Sequence, residues 1–139
     1  MGAVAHPPRS GFPKSARLRH RREFLAVRQK GQGFAEGPLA ASWLPREPGE
    51  TPTRAAGQGM RPASARVGLT VSSKVGGSVV RNHIKRLLRE AVRSELPRLP
   101  AVDLVLVARA SAAHAGVEDF RSWLRRAAFR MARVAEERR

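Results

Sequence analysis

The sequence predicts a small single-domain α+β protein in which three helices and a few strands share one core. Three observations predict it. A chain of 139 residues has room for one modest hydrophobic core. Apolar residues recur with the helical period in three segments, and alternate or run as short β-branched stretches in others. The segments follow the order helix, strand, strand, helix, strand, helix, with no internal repeat.

Residues 1–16 carry Pro, Gly and Ser without apolar periodicity and read as a disordered basic arm, so the folded domain is expected over 17–135, with 136–139 as a tail. Residues 19–30, RHRREFLAVRQK, read as a helix: Phe24 and Val27 share a face, and Gly31 is placed to end it. LAASWL, residues 39–44, reads as a short strand carrying Trp43. Residues 45–65 are rich in Pro, Gly and Thr, too long for a tight hairpin, and read as a long flexible loop between strands.

ARVGLTVS, residues 65–72, alternates cleanly. Val67, Leu69 and Val71 face one side; Arg66, Gly68, Thr70 and Ser72 face the other. A glycine-bearing turn over 74–78 leads to a helix over 79–96, closed by Pro97. VDLVLVAR, residues 102–109, is nearly continuous in apolar character, as expected of an interior strand. The last helix is expected over 118–135. Phe120, Trp123, Leu124, Ala127, Met131 and Val134 form its apolar stripe, and Glu118 and Asp119 suit its positive end.

The net charge is +16, with 27 basic residues against 11 acidic ones. Self-repulsion at this density works against the compact state, and a polyanionic partner relieves it. Nucleic acid is the first candidate, an anionic membrane surface the second, an acidic protein the third. Lys occurs only at Lys14, Lys30, Lys74 and Lys85. The planar Arg fork suits phosphates and base stacking, while abundant Ala and Gly fit a GC-rich coding bias instead.

The absence of Cys excludes a disulfide framework, a thiolate nucleophile and a Cys-based zinc site. His6, His20, His83 and His114 show no metal-ligand spacing. The stretch over 102–108 is too short to cross a bilayer. The start MGAVAHPPRSG has no apolar signal core, and His6 stands where a myristoylation signal needs Ser or Thr. A cytoplasmic protein is expected.

The central helix VVRNHIKRLLREAVRSEL carries two unlike faces. Val80, Ile84, Leu87, Leu88 and Ala91 share one. Arg81, Lys85, Arg89 and Arg93 recur every fourth residue on the other, with Asn82 and Arg86 beside them. Glu90 and Glu95 lie off the centre of that face. Like charges at this spacing repel by a few tenths of a kcal/mol per pair, so a one-signed stripe points to a bound phosphate backbone; an ordinary solvated basic face is the other reading. In the turn before it, Gly76 and Gly77 permit close approach and Ser78 suits an N-cap over free helix N–H groups. The spacing of a P-loop is missing.

The run RVGLTVSSKVGGSVVRNHIKRLLREAVR, residues 66–93, closely resembles the signature of the bacterial ribonuclease P protein component. That family shows an R-V-G-[LF]-x-V-[ST]-x-K strand and turn, then an R-N-x-x-K-R-x-x-R helix. Arg66 and Lys74 match the first; Arg81, Asn82, Lys85, Arg86 and Arg89 match the second. The resemblance extends more weakly through Leu18, Glu23, Phe24, Val27 and Gly31 upstream and VDLVLVAR downstream.

The resemblance implies a sandwich of about three helices on a four-stranded mixed sheet, a ribosomal-protein-like fold with a left-handed βαβ crossover. It implies an RNA-binding set of Arg66, Lys74, Arg81, Asn82, His83, Lys85, Arg86 and Arg89 facing a catalytic RNA. It also implies a cleft between the first helix and the sheet that takes the single-stranded 5′ leader of precursor tRNA. Phe24, Arg28 and Ser42 are its candidate leader-binding residues. Phe24 sits where that cleft carries an aromatic; simple core packing is its other reading.

Three features depart from the family pattern. His83 stands where many relatives have a third basic residue, Arg28 replaces a frequent aromatic, and Ser42 replaces larger residues. The cleft is therefore expected to rely more on charge and less on stacking. The 45–65 loop is longer than the pattern suggests.

The function so implied is that of the non-catalytic protein subunit of the ribonucleoprotein endoribonuclease ribonuclease P. The catalytic Mg²⁺ is held by the RNA subunit, with no cofactor bound firmly by the protein. The partners implied are the catalytic RNA and precursor tRNA, with no membrane and no obligate protein partner. The sequence offers no carboxylate cluster and no paired His for metal-free RNA cleavage, and Asp103, alone in an apolar strand, reads as structural. The alternatives are another basic RNA binder, such as a ribosomal or assembly protein, then an autonomous nuclease, then an amphipathic membrane-surface protein.

Overall fold

A computed structural model describes residues 14–46 and 65–137 of the chain. The helices are α1 (Arg21–Lys30), α2 (Ser78–Glu95) and α3 (Val117–Glu137). The strands are β1 (Gln32–Glu36), β2 (Leu39–Pro45), β3 (Arg66–Thr70) and β4 (Val102–Ala108). They form one mixed sheet in the order β1-β2-β4-β3, with only β3 and β4 parallel. A parallel neighbour requires a crossover rather than a hairpin, and α2 is that crossover. The α+β sandwich expected from the sequence is the fold observed.

Strand alternation sorts the side chains into two layers. Val102, Leu104, Leu106 and Ala108 of β4 join Leu39, Ala41 and Trp43 of β2 and Val67 of β3 in the main core. Against them pack Ile84, Leu88, Ala91 and Val92 of α2 and Phe120, Trp123, Leu124, Ala127 and Met131 of α3. Each large side chain buried here contributes about 1.5–3 kcal/mol, so this layer dominates stability. On the opposite face, Val105 packs with Leu18 and Val27, joined by Phe24, Leu44 and Val107. α1 therefore covers one side of the sheet, and α2 and α3 the other. β4 is central and apolar on both faces, which explains its nearly continuous hydrophobic run.

Several boundaries differ from expectation. β1, QGFAE, carries too little apolar pattern to read as a strand; pairing with β2 across a turn at Gly37 (φ +57°) creates it. Ser78 is the first residue of α2 rather than its cap, because the extended backbone at Gly77 takes the cap position. The helix ends at Glu95, and Leu96–Arg98 continue as a 3-10 turn. α3 runs to Glu137, so the expected tail begins inside the helix. Of the expected N-terminal arm, Lys14–Ala16 form a 3-10 turn with Ala16 buried, and residues 1–13 lie outside the described residues.

The expected 45–65 loop is anchored at both ends. Arg46 N–H donates to the Ala101 carbonyl at 2.9 Å, and Ala65 is buried. Residues 47–64 lie outside the described residues. Among those described, no helix is long and apolar enough to cross a membrane.

Candidate nucleic-acid interface

α2 is held against the core by Ile84, Leu88, Ala91 and Val92, and this fixes which residues face outward. Asn82, His83, Arg86 and Arg89 are exposed, with Lys85 half-buried beside them. With exposed Val79 they line an open groove of about 630 Å³. The acids of the same helix are turned elsewhere. Glu90 binds Arg93 at 2.7 Å and Arg121 of α3 at 3.5 Å. Glu95 is buried and binds Arg98 and Arg125, each at 3.0 Å.

Among the described residues, none of Arg81, Lys85, Arg86 and Arg89 forms an ion pair. The outer face of α2 thus keeps its positive charge, because both of its carboxylates serve the junction with α3. Arg86 Nη2 lies 3.4 Å from Nδ1 of His83. His83 thus stands beside Arg86 at the exposed edge of the stripe.

Two residues expected on this stripe stand partly off it. Arg81 is half-buried, and its Nε is enclosed without an acceptor among the described residues. Arg93 is tied to Glu90. Lys74 is exposed in the turn before α2, where its N–H donates to Ser72 Oγ at 3.3 Å.

Arg66 is not brought to the stripe. It lies on the α1 side of the sheet, where Nε and Nη2 donate to the two oxygens of Asp103 at 2.9 and 2.8 Å. Nη1 donates to Glu23 of α1 at 3.2 Å. The hydrogen bond to Asp103 holds the Arg66 guanidinium above its ordinary range, more than offsetting desolvation. Burial pushes the Glu23 carboxyl up, but the N–H groups of His20 and Arg19 and the charge of Arg66 together bring it below the ordinary 4.5. Arg46 also approaches Asp103, at 3.5 Å. This cluster fastens the start of α1 to the sheet and makes Asp103 the structural residue its setting suggested.

One residue after Glu23, the ring of Phe24 lies over Gly68 of β3 and packs with Val105 and Val107. Across the sheet, Ala40, Val107 and Thr70 form the next register row, and all three are half-exposed. Phe24 and this row leave half-exposed surface beside α1 on that face of the sheet. Arg28 stands one turn further along α1 and is exposed. Ser42 pairs with Val105, two strand spacings or about 10 Å from Gly68, and is half-buried. The three candidate leader-binding residues therefore lie on one face of the sheet, opposite the face that carries α2. Among the described residues, no three His, Asp or Glu side chains converge to hold a metal ion.

The sequence profile of the family Ribonuclease P matches residues 12–132. The chain is 38% identical over 112 residues to the ribonuclease P protein component of Xanthomonas campestris, covering 80% of this chain and 66% of that protein. It is 38% identical over 108 residues to that of Desulfovibrio desulfuricans, covering 77% and 74%. The match thus spans just under two thirds of the Xanthomonas protein. In fold, the chain is similar to the RNase P protein of Staphylococcus aureus (TM-score 0.65, 23% identity, 86% of this chain and 96% of that one). It is similar also to that of Thermotoga maritima (TM-score 0.63, 24% identity, 82% and 96%). With a family match over most of its length, joined to the Arg66–Arg89 motif and the sheet topology that presents it, this chain belongs to the ribonuclease P protein family.

Proposed function

We propose that this chain is the RNA-binding protein subunit of a cytoplasmic ribonuclease P, assisting a catalytic RNA that removes the 5′ leader from precursor tRNA. The observation that carries this reading is the outer face of α2. Lys85, Arg86 and Arg89 stand together with no carboxylate to neutralise them, on a helix whose acids all face α3. Bringing a phosphate backbone there releases condensed counterions and removes the repulsion among like charges.

The cleft beside α1 supplies the second contact. A leader is single-stranded, and its unstacked bases can lie on the exposed part of Phe24 while Arg28 meets a phosphate. The two contacts use opposite faces of the sheet, so catalytic RNA and leader bind without competing. In this reading the Mg²⁺ that activates the attacking water belongs to the RNA. The protein's own residues neutralise phosphates and hold the leader in register.

Reconstitution tests the reading. Added to a bacterial ribonuclease P RNA at Mg²⁺ too low for the RNA alone, the chain should restore cleavage at the mature 5′ end. The chain alone should not cleave precursor tRNA. Absence of stimulation by a folded chain that binds the RNA would refute the proposal.

A further inference from the structure

The flank of α3 beside β1 carries a second basic surface, separate from α2 and from the α1 cleft. Phe129 is 69% exposed, the only exposed aromatic ring among the described residues. A single apolar residue in water needs no explanation; its surroundings do. Arg126, Arg130, Arg133 and Val134 line an open groove of about 330 Å³ with it. At helical spacing the three arginines and Phe129 share one flank.

Charge on α3 is distributed unevenly. Arg121 and Arg125 are bound by Glu90, Glu118 and Glu95 at the α2 side. On the β1 side Glu36 stands 3.9 Å from Arg126, with both side chains more than half exposed. Such a pair is worth little in water. Arg133 is exposed and forms no ion pair among the described residues. Arg130 is positioned without being neutralised: its guanidinium stands 4.4 Å over the ring of Phe34. Phe34 stacks on Trp123 with centroids 5.4 Å apart, and Trp123 Nε1 donates to the Glu36 carbonyl at 2.8 Å. A stacked pair, half-buried Phe34 on buried Trp123, thus holds a full positive charge beside an exposed ring.

We propose that the flank formed by Arg126, Phe129, Arg130 and Arg133 is a second RNA-binding surface. It takes a single-stranded segment, with a base stacked on Phe129 and its phosphates on the arginines. Like charges one turn apart repel, and a polyanion relieves that repulsion. The planar ring at their centre selects a partner with flat apolar faces over a plain anionic surface. The bridges of Glu90 and Glu95 to α3 lie between this flank and the α2 stripe, so it serves a different RNA segment.

The test uses the full chain and a 4-thiouridine-substituted oligouridylate of about 15 nucleotides. Cross-linked peptides are mapped while the RNA is titrated. Cross-links to residues 126–133 are expected, with a half-saturation point that moves at least about fivefold in Phe129→Ala and returns in Phe129→Tyr. Arg133→Gln should flatten the log–log salt dependence of that cross-link by about 0.7. Both positions are exposed, so the variants should keep the wild-type circular dichroism spectrum. Cross-links confined to α1 and α2, or α3 cross-links indifferent to Phe129→Ala, would overturn the proposal. So would a dimer, seen by light scattering, that Phe129→Ala dissociates without changing the titration. Peptides from α2 are scored in the same experiment, so failure of the α2 stripe registers separately.

Discussion

Phe24 is seated on Gly68: a Cβ added to that glycine would fall 2.5 Å from Cζ of the ring and 2.6 Å from Cε2. The only side chain that leaves room for the ring is none at all. The sheet therefore fixes the height of an aromatic that α1 carries into the cleft, and the next residue back, Glu23, fixes the helix that carries it.

Gly68→Ala should displace the ring without unfolding the protein. Phe24 is only half-buried, so its ring can swing outward, and the stability loss should stay near the low end of the usual overpacking cost of about 1–3 kcal/mol. Affinity for leader-bearing tRNA should fall while affinity for the catalytic RNA holds. Thermal melts and filter binding of the two RNAs check this; equal losses for both would mean that the ring plays no separate part.

Glu23 should make stability depend on pH in acid. Its folded pKa lies below the ordinary 4.5, so the unfolded chain binds a proton first. The stabilisation is complete above the ordinary value and is lost as pH falls through the folded one. Glu23→Gln should then cost about 1 kcal/mol or less at pH 7, since the pair with Arg66 is partly exposed. Wild type and variant should converge in urea unfolding as pH falls through the folded value, below the ordinary 4.5. A gap that stays constant with pH would assign the loss to packing.

Arg86→Ala and Arg89→Ala should each flatten the log–log salt dependence of catalytic-RNA binding by about one, if each arginine holds one phosphate. Neither is ion-paired within the described fold, so thermal stability should barely change. Unchanged slopes in folded variants would leave the α2 stripe a solvated face.

The helices, the interior strand and the basic stripe were legible because they depend on local spacing. Ile84, Leu88, Ala91 and Trp123 fall where periodicity places them, whereas Val80, in the first turn of α2, is exposed. What stayed hidden depends on pairing. QGFAE becomes a strand only because β2 folds back beside it. Arg66 matches an RNA-binding motif, yet sheet register sets it opposite Asp103, 37 residues away, and commits its fork there. Gly68 looked like one more small residue on the polar face of an alternating strand, and its use as a seat for Phe24 required the position of α1. The cluster of arginines in the last helix could be read from its spacing, whereas Phe34 beneath Arg130 could not.

The most direct measurement is the ratio of precursor to mature tRNA affinity in a complex reassembled from ribonuclease P RNA and this chain. Leucine at position 24 keeps most of the apolar volume and removes the π-face, so Phe24→Leu separates stacking from packing. The wild-type chain should raise the ratio above that of the RNA alone. Phe24→Leu should lower it by up to the 1–3 kcal/mol that a stacked base is worth, about five- to 150-fold at most, with mature tRNA affinity unchanged. A ratio that the wild-type chain does not raise, or that Phe24→Leu does not move, would contradict leader binding in the α1 cleft.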